Sequence, residues 1–97
     1  MELYQLKYLQ EIARTGSLRE AARQLHITQP PLSRCIKALE DEIGEPLFDR
    51  IGRNLVLNDV GKVVLLGANA TLKSAESIKQ SVDEFVRTRE QTINLYA

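Results

Sequence analysis

Leu3, Leu6, Leu9, Ile12 and Ala13 recur at helical spacing and predict an amphipathic helix that Gly16 ends after Thr15. From Ser17 to Gly44 the pattern predicts two more helices joined by a tight turn. Leu18, Ala21, Ala22 and Leu25 mark the first of these, and its small residues permit a close helix crossing. Ser17-Leu18-Arg19-Glu20 reads as a capping box: the Ser17 hydroxyl accepts from the Glu20 amide, and Glu20 reaches back to the Ser17 amide. After the turn Leu25-His26-Ile27-Thr28, Thr28 is the predicted N-cap of the next helix. Pro30 and Pro31 fall in its first turn, where a missing N–H leaves no intrahelical bond unmade. Leu32, Ile36, Leu39 and Ile43 share one face of that helix, while Pro30, Ser33, Arg34 and Lys37 fall on the opposite one.

The period then changes. Pro46–Arg50 and Leu55–Leu57 read as short extended runs around Ile51-Gly52-Arg53-Asn54, a hairpin with a glycine-containing loop. A hairpin directly after such a helix pair is the wing of a winged helix-turn-helix. From Asn58 the chain turns helical again, with Asn58 or Asp59 as cap and no proline thereafter. The helix is expected to reach about Arg89, which at ~1.5 Å per residue is a rod of roughly 45 Å. Val64, Ala68, Thr71, Ala75, Ile78, Val82 and Phe85 alternate spacings of four and three along it, a heptad seam. The preceding domain is too small to cover such a rod, so the seam predicts dimerisation. Thr92–Ala97 alternates like a strand with nothing to pair with, as if the chain stopped just inside a further domain. The expected division is therefore a winged helix-turn-helix over 1–58, a dimerisation helix over 59–90, and a hinge over 91–97.

Composition narrows the function classes. Ninety-seven residues make one small domain with a single modest core. No run is apolar enough to span a membrane, and the start carries no signal-peptide pattern. The lone Cys35 allows neither an internal disulfide nor a multi-cysteine metal site, which points to a reducing, cytoplasmic setting. His26 lies in the helix-helix turn with no second ligand at metal spacing and reads as structural. Thirteen basic and thirteen acidic residues cancel, against the usual basic footprint of nucleic-acid binders. The charges are segregated, however. Glu40, Asp41, Glu42 and Glu45 cluster at the end of the third helix, away from Arg34, Lys37, Arg50 and Arg53. At a Debye length of about 8–10 Å the local field outweighs the sum.

A helix with an apolar inner stripe and a small, basic, hydroxyl-bearing outer face suits the DNA major groove. With these residues laid out, the sequence resembles the N-terminal region of LysR-type transcriptional regulators. The match rests on Leu6 through Leu9, Gly16-Ser17, Ala21-Ala22, Leu25, Gln29-Pro30, Leu32-Ser33, Ile36, Leu39-Glu40, Gly44, Leu47-Phe48, Arg50, Gly52-Arg53, Leu57 and Gly61. The resemblance implies a DNA-binding winged helix-turn-helix and a linker helix that makes a homodimer. It also implies a C-terminal domain that senses a small-molecule effector and opens at Thr92–Ala97, so no cofactor is expected in residues 1–97. Tetramers of the longer protein and contact with RNA polymerase are compatible with it. Two departures stand out: Asn58-Asp59-Val60-Gly61 replaces the family's frequent Thr-Pro-Ala-Gly, and Cys35 stands where a polar residue is usual.

Carried over residue by residue, Gln29, Pro30, Pro31, Ser33 and Arg34 would face the major groove. Gln29 suits an adenine edge, Arg34 a guanine or a phosphate, Ser33 a phosphate, and the prolines a thymine methyl. Lys37 extends the same face. Ser17, Leu18 and Thr28 lie at helix N-termini, whose free amides meet phosphates, although Ser17 and Thr28 are also explained as caps alone. Arg53 in the wing loop suits a narrow minor groove. Arg50 either helps it or only pairs with Asp49 or Glu45. Cys35, at the edge of the apolar face, reads as an inert thiol. A protein-interaction module on the same scaffold is the competing reading, but it has no need of Ser33, Arg34 and Arg53 together. A non-specific architectural DNA binder fits poorly with a chain of no net charge. An enzyme is disfavoured, because no nucleophile-base pair or phosphate-binding glycine loop is present.

Overall fold

In the computed structural model the elements run α1 (Leu3–Thr15), α2 (Leu18–Leu25), α3 (Gln29–Ile43), β1 (Phe48–Ile51), β2 (Asn54–Leu57) and α4 (Asp59–Tyr96). The structure describes the backbone of residues 1–96 and the side chains through Gln91. The architecture is the expected one, mainly α, with three helices, a hairpin wing and a long trailing helix. The principal extents of 65 × 26 × 18 Å reflect α4 projecting beyond a small head.

One core joins all parts of the head. Leu6, Leu9 and Ile12 from α1 meet Ala21 and Ala22 from α2, and Leu32, Cys35, Ile36 and Leu39 from α3. Leu47 closes it from the loop before the wing, and Ala68 and Leu72 close it from α4. The apolar stripe read on α3 is thus its buried face, with Cys35 included and Ile43 half-buried at the rim. Cys35 donates weakly from Sγ to the Gln5 carbonyl at 3.7 Å, and burial pushes its thiol up to about 11.

The caps differ from expectation in instructive ways. Ser17 does accept from the Glu20 amide at 3.2 Å, but Glu20 does not reach back. Its carboxylate is held by Arg23 at 2.6 and 3.1 Å and by Gln24 at 3.1 Å, so the Ser17 amide turns to Thr15 Oγ1 at 3.4 Å. The reciprocal box forms on α1 instead, between Glu2 and Gln5, where Glu2 N donates to Gln5 Oε1 at 2.8 Å. Thr28 occupies the N-cap position of α3 with extended backbone but makes no side-chain cap bond. An N-cap hydroxyl accepts from the second or third helical amide, and here those residues are Pro30 and Pro31, which have none.

The wing is tighter than predicted. β1 and β2 pair antiparallel from Phe48↔Leu57 to Ile51↔Asn54, leaving only Gly52 and Arg53 in the turn. Pro46 and Leu47 fall outside the strand because Leu47 is fully buried and its backbone is tied on both sides. Leu47 N donates to Glu40 Oε2 at 2.8 Å and Leu47 O accepts from Asn58 N at 3.0 Å. Gly16, in the left-handed conformation that ends α1, accepts from Leu55 N at 2.8 Å and so moors the wing to the head.

Asn58 is the cap of α4. Its Oδ1 accepts from Gly61 N and its Nδ2 donates to Pro46 O, both at 2.8 Å. The expected end near Arg89 and the extended run from Thr92 are overturned, since α4 continues to Tyr96. Neither glycine nor proline follows Gly67, and a helix pairs its own backbone groups where no neighbouring strand is present to do so. Ala97 lies outside the described residues.

Candidate nucleic-acid interface

α3 presents its outer face along its first two turns. Gln29, Pro30, Ser33, Arg34 and Lys37 are exposed, and Pro31 is half-exposed. The fold places them opposite Leu32, Ile36 and Leu39, so the packing that fixes the core also fixes the direction of this face. Lys37 has only a loose exposed contact with Asp41 at 3.9 Å, of a kind worth little, and stays available to an anion. Arg34 has no carboxylate at ion-pair distance among the described residues.

The wing stands beside this face. Strand pairing puts Phe48, Arg50, Leu55 and Leu57 on one side of the hairpin and Asp49, Ile51, Asn54 and Val56 on the other. The first side turns inward, with Phe48, Leu55 and Leu57 packed against the core, and Arg50 therefore leans toward α2 and α3. Asp49 points the opposite way, and no Arg50 pair with Asp49 or Glu45 exists among the described residues. Of the two alternatives for Arg50, the geometry leaves it free to help Arg53.

Two adjoining clefts separate the wing from the helices. One, of about 290 Å³, is lined by Ser33, Ile36, Lys37 and Glu40 of α3, Leu18 of α2, and Phe48, Arg50 and Leu55 of the wing. The other, of about 270 Å³, has Ser17, Leu18, Arg19 and Gln29 on the helix side, and Arg50, Arg53 and Leu55 on the wing side. Leu18, Arg50 and Leu55 line both, so the two form one groove. The structure thus gathers Ser17, Leu18, Gln29, Ser33, Lys37, Arg50 and Arg53 around a single groove, with Arg34 and Pro30 exposed on the same helix. Thr28 sits at the exposed tip of α3, where the two prolines remove half of the amides a helix start normally offers an anion. Arg19 lines the groove and was read from the sequence only as a spacer in the capping box. Its position one residue past the Ser17 cap was legible, but its neighbourhood to the wing was not.

The seam residues of α4 divide between two environments. Ala68 is buried, and Val64 packs against the chain's own core. Thr71 is exposed and donates to Gly67 O at 2.8 Å, and Ala75 is half-buried. Ile78, Val82 and Phe85 are 67, 54 and 65% exposed, and Val63 and Leu66 on a neighbouring face are 69 and 73% exposed. Among the described residues no helix is long and apolar enough to cross a membrane, and no cluster has metal-ligand composition.

Comparison with known proteins gives this arrangement a context. Residues 3–62 match the bacterial regulatory helix-turn-helix proteins of the lysR family. An uncharacterised helix-turn-helix transcriptional regulator of Bacillus subtilis, YybE, is 39% identical over 95 residues, covering 98% of this chain and 32% of that protein. The chain thus spans about a third of that relative's length. Among solved structures, the CbnR DNA-binding domain in complex with DNA superposes with a TM-score of 0.79 at 36% identity, covering 82% of this chain and 92% of that one. The BenM DNA-binding domain bound to catB site 1 DNA gives 0.82 at 31% identity, covering 89% and 97%.

Proposed function

The chain belongs to the LysR family of bacterial regulatory helix-turn-helix proteins and forms that family's DNA-binding domain, and from that premise we propose that it reads an interrupted inverted repeat as a dimer. The observation that carries this reading is the exposed α3 tip set directly beside a wing that bears Arg50 and Arg53. In the major groove Gln29 and Arg34 address base edges, Pro30 and Pro31 offer apolar contact, and Ser33 and Lys37 hold phosphates. Arg53, alone with Gly52 at the hairpin tip, enters the flanking minor groove. The unpartnered outer half of α4 pairs with that of a second copy, which fixes two recognition helices on one face of the duplex.

In this reading residues 1–58 bind DNA, 59–90 dimerise, and 91–97 lead toward a domain that senses a small molecule. Two solved relatives, the DNA-binding domains of CbnR and BenM in complex with DNA, support the first of these assignments. The relatives are regulators rather than enzymes, in keeping with a site built of caps, prolines and cations.

Arg34→Ala tests the reading at its centre. Binding to the preferred duplex should weaken by about 1–3 kcal/mol, with relaxed preference at one base position, in titrations against a panel of single-base variants. An equal loss on every duplex would move Arg34 from base reading to phosphate contact.

A further inference from the structure

We propose that Arg19 and Arg50 form a phosphate clamp across the groove between the start of α2 and the wing, with Arg19 a DNA-contact residue in its own right. The inference rests on the reading of this chain as a DNA-binding domain and assigns the groove to one backbone strand of the duplex. Three observations support it.

Arg19 and Arg50 line the same 270 Å³ cleft from opposite sides, and neither has a carboxylate partner among the described residues. The carboxylate nearest Arg19 in sequence, Glu20, is already taken. Arg23 and Gln24 hold it and depress it to about 2, so its charge is directed along α2 and away from the groove. No carboxylate lines this cleft: Asp49 lies on the other side of the hairpin, and Glu40, in the adjoining cleft, accepts from Leu47 N. Arg19 and Arg50, with Arg53 on the same cleft, bring like charges together until an anion enters, and guanidinium geometry matches a phosphate.

The second observation concerns amides. Ser17 Oγ satisfies the Glu20 amide, but the amides of Leu18 and Arg19 have no acceptor among the described residues. They belong to a helix start that lines this same cleft. The third is the contrast with α3, where Pro30 and Pro31 remove the second and third helical amides and leave that of Gln29. Capture of a phosphate by backbone amides therefore falls to the start of α2, beside the wing, while α3 offers phosphates only side chains such as Ser33 and Lys37. A strand held there passes between the element in the major groove and the element in the minor groove, and so sets their spacing.

The test uses the 97-residue chain with two probes, a duplex of random sequence and the best duplex recovered from a random library. Affinity is measured against salt concentration for wild type, Arg19→Gln and Arg19→Lys. Removing one phosphate contact should lower the slope of log K against log salt by about 0.9, which near physiological salt is a loss of about fivefold. The loss should be equal on both duplexes, and Arg19→Lys should restore most of the slope. Thermal unfolding should be unchanged, because Arg19 is exposed and holds no partner in the fold. A wild-type slope for Arg19→Gln on both duplexes would overturn the clamp, and so would a changed base preference. A slope loss on random duplex with no sequence preference in the wild type would uphold the clamp while overturning the sequence-reading function.

Discussion

Gly61 stands where α4 starts and passes against the backbone of the loop before the wing. A Cβ built there collides with the Leu47 carbonyl oxygen and lies 2.7 Å from a Leu57 methyl carbon. The Leu47 backbone is not free to yield, since Leu47 is fully buried and its carbonyl accepts from Asn58 N. In an ordinary exposed helix Gly→Ala stabilises by up to about 1 kcal/mol, but here overpacking against backbone decides the sign. Gly61→Ala should destabilise by at least about 2 kcal/mol in urea unfolding, and an unchanged or raised midpoint would refute the close approach. Residue-scale facts of this kind were only half legible in the sequence. The Ser17 cap and the helix-ending Gly16 and Gly44 could be read from local chemistry, because their partners lie within a turn. The tight fit at Gly61 could not, since it depends on Leu47 and Leu57 arriving from other elements. Thr28 shows the opposite case: with Thr28 predicted as N-cap, Pro30 and Pro31 are already the second and third helical residues, so the missing cap bond was legible and went undrawn.

On the scale of elements, α4 explains why the heptad seam was legible only in part. Seven residues turn a straight helix by about 20° short of two full turns, so over the three heptads from Val64 to Phe85 the seam drifts by only about 60° and keeps much the same face. Val64 and Ala68 lie where α4 crosses the head and close its core, whereas Ile78, Val82 and Phe85 lie where the rod has run past the head, on open surface. The core-facing row is Gly61, Ala68 and Leu72, and the uncovered row includes Val63, Leu66, Ala70, Ile78 and Phe85. At about 100° per residue the centres of the two rows lie roughly 150° apart. The outer half of the seam is the part a second copy would cover. Ile78→Asp or Val82→Asp should therefore yield monomers in sedimentation without loss of the head's fold, because neither side chain touches the core. A variant that stays dimeric would place the contact elsewhere. The α3 stripe was read correctly for a simple reason: a short helix pinned on one core does not outrun it. The helix end near Arg89 was misread because strand-like alternation was given weight in a segment with no strand to join.

Across the whole molecule, a balanced charge is arranged as two unlike ends of one recognition helix. Arg34 and Lys37 lie toward the tip and the groove beside the wing, while Asp41, Glu42 and Glu45 crowd its far end, where Glu42 also holds the N-terminal amine at 3.0 Å. Such a molecule has a weak overall attraction to DNA and a directed one, which favours reading a site over coating a duplex. A projecting helix with an uncovered apolar row then supplies the means to present two heads at once. The central claim, a dimeric reader of an inverted repeat, is tested most directly by selecting bound sites from a random duplex library at physiological salt. The account predicts enrichment of two inverted half-sites at a fixed spacing with A·T-rich flanks where Arg53 enters. Recovery of no shared sequence by a folded and dimeric chain would contradict it.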